Sequence, residues 1–135
     1  MDRDRLMRRT LWTSVPFNLG GALSFAFPES FGRLVGLPGS VPPVYTASLA
    51  FLVALFAATY AWLASQPRID RPLVWFATLG KSGFFVVILA LWIRGQASTT
   101  LLIGAAGDMT FAAIFMWWLL GEPATATTFA ARPRR

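Results

Sequence analysis

The sequence predicts an all-α fold, an integral membrane antiparallel four-helix bundle. Two compositional observations support this: apolar residues make up 56% of the 135-residue chain, and charged residues only 13%. A soluble domain carries roughly 25% charged residues, so this chain cannot cover a solvated surface in the usual way. The third observation is four long apolar segments bounded by charge, proline or glycine.

The four segments are long enough for membrane-spanning helices and lack the alternation of strands. At about 1.5 Å per residue, the last three can cross roughly 30 Å of hydrocarbon, and the first is at the lower limit. The chain is expected to form one transmembrane domain, residues 11–120, between a basic tail of residues 1–10 and a disordered basic tail of residues 121–135. The predicted helices are about 11–27, 45–64, 72–93 and 99–120.

Basic residues predict the topology. Nine arginines lie on one side of the predicted helices, whereas the other side has Arg33 and Arg94 alone. The positive-inside rule then places both termini in the cytoplasm. We expect a multi-pass protein of the bacterial inner membrane. The nine arginines are Arg3, Arg5, Arg8, Arg9, Arg68, Arg71, Arg132, Arg134 and Arg135.

Two segments allow an alternative interpretation. The first apolar segment follows arginines and contains Ala22-Leu23-Ser24, as a cleaved signal peptide would, but Pro16 and Asn18 interrupt it. Cleavage would leave three helices. In the next connection, Phe31, Leu34 and Val35 have the spacing of a short interfacial helix. An apolar loop folded over the bundle is the other interpretation.

Two opposite charges lie in the middle of the last two predicted helices, Lys81 and Asp108. The connection between these helices is short, so they must be neighbours, and the two Cα atoms differ in depth by roughly 4.5 Å. A lone charge at the bilayer centre costs about 2.5–3.5 kcal/mol, which favours pairing. Asn18 lies at a similar depth and Tyr60 adds a hydroxyl. These four residues form the predicted site, with a polar or ligand-binding role.

The absence of cysteine and histidine excludes several classes of chemistry. Disulfides, iron–sulfur clusters and a Ser–His–Asp triad cannot form, and haem and zinc lose their usual ligands. We predict no catalytic residue, no metal site and no cofactor. The excess of 12 basic over 6 acidic residues lies at the chain ends and in loops. This distribution favours membrane lipids as partners and argues against nucleic acid.

Short motifs along residues 8–120 resemble a group of small uncharacterised bacterial four-helix membrane proteins. More distantly, the layout resembles the DoxX-like families, some of whose members are associated with membrane redox assemblies. The resemblance implies the four-helix fold, while this chain lacks the histidines and cysteines of redox ligation. The motifs are Asn18-Leu19-Gly20-Gly21, 27–31 (Phe-Pro-Glu-Ser-Phe), Gly36-Leu37-Pro38, Gly80-Lys81 and 107–112 (Gly-Asp-Met-Thr-Phe-Ala).

The leading hypothesis is a protein without enzymatic activity that binds a hydrophobic small molecule or lipid, or serves as an accessory subunit. In it, Lys81 and Asp108 anchor a polar group, with Asn18 and Tyr60 as hydrogen-bonding partners. Three other hypotheses stay open: an oligomeric proton-coupled transporter with Asp108 carrying the proton, an intramembrane isomerase, and a purely structural subunit of a larger membrane assembly. A separate alternative is that the Lys81–Asp108 pair only fixes helix register and partner choice.

Overall fold

The computed structural model describes residues 2–39 and 41–121, and the regular elements in these ranges are all helical. The helices are α1 (Arg3–Ala26), α2 (Pro43–Ser65), α3 (Arg71–Ile93) and α4 (Thr99–Leu119). A single π-helical turn, Pro28–Gly32, lies between α1 and α2. The basic tail predicted from residue 121 onward lies almost wholly outside the described residues.

Capping residues account for where the helices begin. The Asp70 carboxylate accepts a hydrogen bond from the Leu73 backbone N–H at 2.9 Å at the start of α3. Ser98 accepts from the Leu101 N–H at 3.1 Å at the start of α4. Each contact satisfies a backbone donor that has no partner within its helix. These bounds agree with the predicted starts at residues 72 and 99 to within one residue.

The first helix begins eight residues earlier than expected, at Arg3 rather than at residue 11. Asp2 caps it by accepting from the Asp4 N–H at 3.1 Å, and Asp4 adds negative charge to the first turn. Both features stabilise a helix N-terminus. The basic segment predicted as a separate tail is therefore part of α1, because hydropathy locates an apolar run and not the end of a helix.

The helices pack as a chain of neighbours in the order α2, α1, α4, α3. Close backbone packing joins α1 to α2, α3 to α4, and α1 to α4. Helices α2 and α3 are not in comparable backbone contact, although they follow each other in sequence. Their aromatic side chains bridge the gap, with the Phe56 and Phe76 rings stacked at 5.9 Å between centroids. The gap between α2 and α3 is consequently wider than the others.

The densest packing lies in the half of the structure nearest the α1 start and the α4 end. A cluster of buried side chains from all four helices fills this half. Its members are Met7, Leu11, Tyr60, Leu63, Ala64, Val74, Ala77, Phe115, Trp118 and Leu119. Tight packing there fixes the helices at one end and leaves the other half free to enclose space.

The outer surface is apolar. Helices α2, α3 and α4 are each long and apolar enough to cross a membrane. Fewer than a quarter of the residues in their most apolar stretches are buried (22%, 22% and 17%). Phe51, Leu79 and Ile103 are among many large apolar side chains that are exposed. Such a surface suits hydrocarbon rather than water.

Arginines from neighbouring segments cap the C-terminal ends of two helices. The Arg8 guanidinium donates to the backbone oxygens of Ala64 at 2.8 Å, Gln66 at 2.5 Å and Pro67 at 2.8 Å. Arg71 likewise donates to the Leu119 oxygen at the end of α4. Terminal carbonyls lack partners within their own helices, and cations favour the negative end of the helix dipole. These arginines therefore bind the helix ends together, besides setting the charge of that face.

The connection between α1 and α2 folds over the end of the structure. Its π-helical turn ends at Gly32 and residues 33–34 are helical as well, so part of the predicted short helix is present. Gly36 adopts a positive φ of 80°, which favours glycine, and a side chain there would collide with Ser98. Ser98 donates to the Gly36 carbonyl at 3.2 Å. The connection thus combines the two interpretations, because a short helical segment is followed by a loop.

Replacing Arg8 by methionine should destabilise the protein by about 1–3 kcal/mol, because three carbonyl oxygens at the end of α2 lose a charged donor. Thermal unfolding in nanodiscs measures the change. Arg9→Met is the matched control, since Arg9 is exposed and its side chain makes no hydrogen bond within the described residues. Equal melting temperatures for the two variants would contradict the capping role.

Candidate functional site

The Lys81 ammonium lies at the centre of a group contributed by all four helices. It contacts the Asp108 carboxylate at 2.5 Å and donates to the Asn18 side-chain oxygen at 3.0 Å. The Lys81 side chain is 3% exposed and that of Asp108 is 16% exposed. The predicted pairing of Lys81 with Asp108 is thus confirmed. Since an amide nitrogen cannot accept from an ammonium, the contact also fixes which way the Asn18 amide points.

Three aromatic rings surround the same ammonium. Its nitrogen lies 5.1 Å from the Phe17 ring centroid, 5.2 Å from Tyr60 and 5.0 Å from Phe111. The face of an aromatic ring attracts a cation within about 6 Å, and more strongly where water is excluded. Together with two oxygen acceptors, the rings favour a charged lysine. The Tyr60 hydroxyl makes no hydrogen bond within the described residues.

Close helix packing brings Phe17 onto the ion pair. A Cβ atom at Gly107 would lie 2.7 Å from the Phe17 ring, well inside van der Waals contact. The absence of a side chain at Gly107 therefore lets the ring lie directly against α4, beside Asp108. Phe17 also packs edge-on against Phe111 at 5.2 Å between centroids. Glycine in a membrane helix commonly permits this kind of approach.

Several polar atoms of the group have hydrogen-bonding capacity left over. Only one carboxylate oxygen of Asp108 is in contact with Lys81. The Asn18 amide nitrogen and the Tyr60 hydroxyl have no partner among the described residues. Nevertheless, no fully buried side-chain nitrogen or oxygen in the described part of the chain lacks a partner. These atoms must accordingly be reachable from a space beside the group.

That space is a cavity of about 590 Å³. Its polar lining residues are Asn18, Ser24, Tyr60, Lys81 and Asp108, and the rest is largely apolar. The Ser24 hydroxyl donates to the Gly20 carbonyl at 2.9 Å. The cavity extends from this polar lining toward the α1–α2 connection, the end opposite the buried cluster. Its apolar lining comes mainly from Phe17, Phe25, Phe31, Leu34, Val35, Leu37, Leu49, Leu52, Val53, Phe56, Phe84 and Leu101.

The cavity reaches the outer surface beside the gap between α2 and α3. Leu49 and Leu52 of α2 and Phe84 of α3 line it and are also exposed. The apolar connection contributes Phe31 and Leu34, likewise both lining and exposed. A molecule in hydrocarbon beside these residues would meet an apolar entrance that leads to a polar end.

The structure brings together all four residues predicted for the site and adds partners that the sequence analysis omitted. Lys81 is in direct contact with Asn18 and with Asp108, and the Tyr60 ring packs beside the Lys81 ammonium. Phe17 and Phe111 were missed. A signal for Phe17 existed, because it is the neighbour of Asn18 in sequence. Its contact with Gly107 depends on the packing of α1 against α4, which no local pattern encodes.

Gly107→Ala should destabilise the protein by about 1–3 kcal/mol, because the new methyl group displaces the Phe17 ring from the ion pair. The control is Gly83→Ala on α3, where a Cβ meets nothing within 4 Å. We expect that variant to be neutral or slightly more stable, as alanine favours helix. Thermal unfolding of both variants provides the comparison, and a neutral Gly107→Ala would show that the ring position is unimportant.

Removing one partner of the ion pair should lower the free energy of unfolding far more than removing both partners. Lys81→Met or Asp108→Leu alone leaves an unpaired buried charge and should destabilise by about 3–5 kcal/mol. The double variant removes both charges and should recover most of this loss. Unfolding free energies of the four proteins form a double-mutant cycle. Additive losses would indicate that the two side chains do not interact.

Comparisons with known proteins add no assignment: no family model, no curated protein and no solved structure matches this chain.

Proposed function

We propose that this protein binds a hydrophobic small molecule or lipid within the membrane, with the polar end of the ligand at Asn18, Tyr60, Lys81 and Asp108. The observation that carries the proposal is an apolar cavity of about 590 Å³ that ends at a buried ion pair with unused hydrogen-bonding atoms. Ligand pockets of this volume, mostly apolar with a few convergent polar groups, are typical of small-molecule sites.

The proposed setting is an antiparallel four-helix bundle in the bacterial inner membrane. Helix α1 supplies the fourth span, since its 24 residues extend about 36 Å and its charged residues lie in the first turns. The excess of arginines at the α1 start and in the α2–α3 connection favours a cytoplasmic position for that face. The cavity then opens toward the outer half of the bilayer. A distant DoxX-like relationship is compatible with this arrangement, and we propose it together with the membrane setting.

Selectivity in this site would come from the polar end of the ligand. A hydrocarbon tail gains little by moving from lipid into the cavity, because lipid tails are as apolar as the side chains that line it. Hydrogen bonds at the polar end are stronger in a low-dielectric interior than in water. A ligand that satisfies the unused atoms of Asp108, Asn18 and Tyr60 is therefore favoured over an ordinary lipid chain.

The packing supports binding over transport. The buried cluster around Leu11, Leu63 and Phe115 fills the half between the polar group and the α1 start and α4 end. A polar pathway through one copy would have to cross this cluster. The transporter, isomerase and accessory-subunit hypotheses remain predictions. Proton-coupled flux in liposomes, lost in Asp108→Asn while folding survives, would favour the transporter instead.

Filling the cavity should abolish binding without touching the polar group. Gly20 and Gly104 line the cavity, and a Cβ at either position meets nothing within 4 Å. We expect an amphiphile to co-purify with the wild-type protein and to be lost from Gly20→Leu and Gly104→Leu. Native mass spectrometry after gentle extraction measures the bound mass and also reports the oligomeric state.

Gly83→Leu serves as the control, since Gly83 has equally open surroundings but does not line the cavity. The Gly83→Leu protein should retain the bound ligand. A wild-type protein that carries no ligand, even when extracted with added amphiphile, would contradict the proposed function. So would retention of the ligand in both filled variants.

A further inference from the structure

We infer that the ligand carries an uncharged polar end with both a hydrogen-bond donor and an acceptor, such as a hydroxyl or a primary amide. Ionised acids and amines with the same hydrocarbon tail are excluded by the site. This inference rests on the proposed function and specifies the chemical class of its ligand. It follows from the charge balance of the cavity and from the atoms that remain unpaired there.

The charges in the cavity cancel. Lys81 and Asp108 are the charged residues in the cavity lining, one of each sign, and they contact each other at 2.5 Å. A ligand with its own charge would add an uncompensated charge in the interior of the membrane, where it is costly. An uncharged polar end adds no uncompensated charge. The balanced pair therefore selects against both anions and cations.

An anionic ligand also meets a lysine whose charge is already neutralised. The Lys81 ammonium already contacts Asp108 and donates to Asn18, and Phe17, Tyr60 and Phe111 surround it at 5.0–5.2 Å. An anion that took the place of Asp108 beside Lys81 would leave that carboxylate unpaired. Unpaired buried carboxylates are strongly disfavoured.

The unpaired atoms match a group that both donates and accepts. The second carboxylate oxygen of Asp108 accepts hydrogen bonds, the Asn18 amide nitrogen donates them, and the Tyr60 hydroxyl does either. A ligand hydroxyl can donate to Asp108 and accept from Asn18 or Tyr60 at the same time. A ketone or ester carbonyl only accepts and would leave the Asp108 oxygen without a donor.

Equilibrium binding to the full chain in nanodiscs of zwitterionic lipid tests the inference. Radiolabelled dodecanol is the probe, with empty nanodiscs as background, and dodecanesulfonate and dodecylammonium compete for it. The sulfonate is charged at any working pH and the ammonium at neutral pH. Wild-type protein should bind dodecanol at least about tenfold more tightly than either charged competitor.

Two substitutions that preserve shape should reverse this preference in opposite directions. Asp108→Asn leaves Lys81 as the one charge of the cavity, and affinity for dodecanesulfonate should rise about tenfold. Asn18→Asp places a second carboxylate 3.0 Å from the lysine, so that affinity for dodecylammonium should rise instead. Thr78→Val is the control, because Thr78 is buried and bonded to the Val74 carbonyl but does not line the cavity.

The outcomes separate this inference from the function on which it rests. Tight binding of dodecanol, with reversal in either substituted protein, supports it. Equal binding of dodecanol and dodecanesulfonate by the wild-type protein overturns the inference and leaves the proposed function standing. If none of the three probes binds the wild-type protein, the inference and the proposed function are both overturned. A preference unchanged in both folded variants also overturns the inference, because charge balance would then not set selectivity.

Discussion

The ion pair between Lys81 and Asp108 is the interaction on which the middle of this structure depends. Neither charge is stable alone among apolar helices, so each requires the other within contact distance. The 2.5 Å contact meets this requirement and couples α3 to α4 at mid-length. The hydrogen bond from Lys81 to Asn18 extends the coupling to α1. One lysine thereby links three helices where apolar packing alone would leave their rotation weakly specified.

A second set of polar contacts acts at the end of the structure that carries the chain start. There Arg8 binds the end of α2, and Arg71 binds the end of α4 through backbone carbonyls. Between these caps and the ion pair lies the buried apolar cluster. The arginine caps, the apolar cluster and the ion pair hold one half of the structure together. The other half can therefore enclose a cavity without loss of the fold. The proposed ligand would replace the packing that this open half lacks.

Much of the architecture could be predicted from local sequence. Apolar run length located α2, α3 and α4, because a helix in hydrocarbon must be apolar along about 20 residues. The cost of unpaired charge predicted the contact of Lys81 with Asp108. The length of the apolar segment predicted the start of α1 wrongly, because its start at Arg3 depends on capping by Asp2 rather than on hydropathy. For the connection the sequence left two interpretations open, and contacts of Gly36 with Ser98 help to fix its backbone path.

The sequence by itself determined that most of this chain is helical and suited to hydrocarbon, and that its two mid-helix charges must pair. These properties follow from composition, spacing and the energy of charge in a low-dielectric medium. The tertiary structure alone decided that α1 packs against α4 closely enough to place Phe17 over Gly107, and that a cavity forms beside the pair. Both depend on how four helix surfaces fit together, and the shape of such an interface is a property of the assembled side chains, not of any one segment.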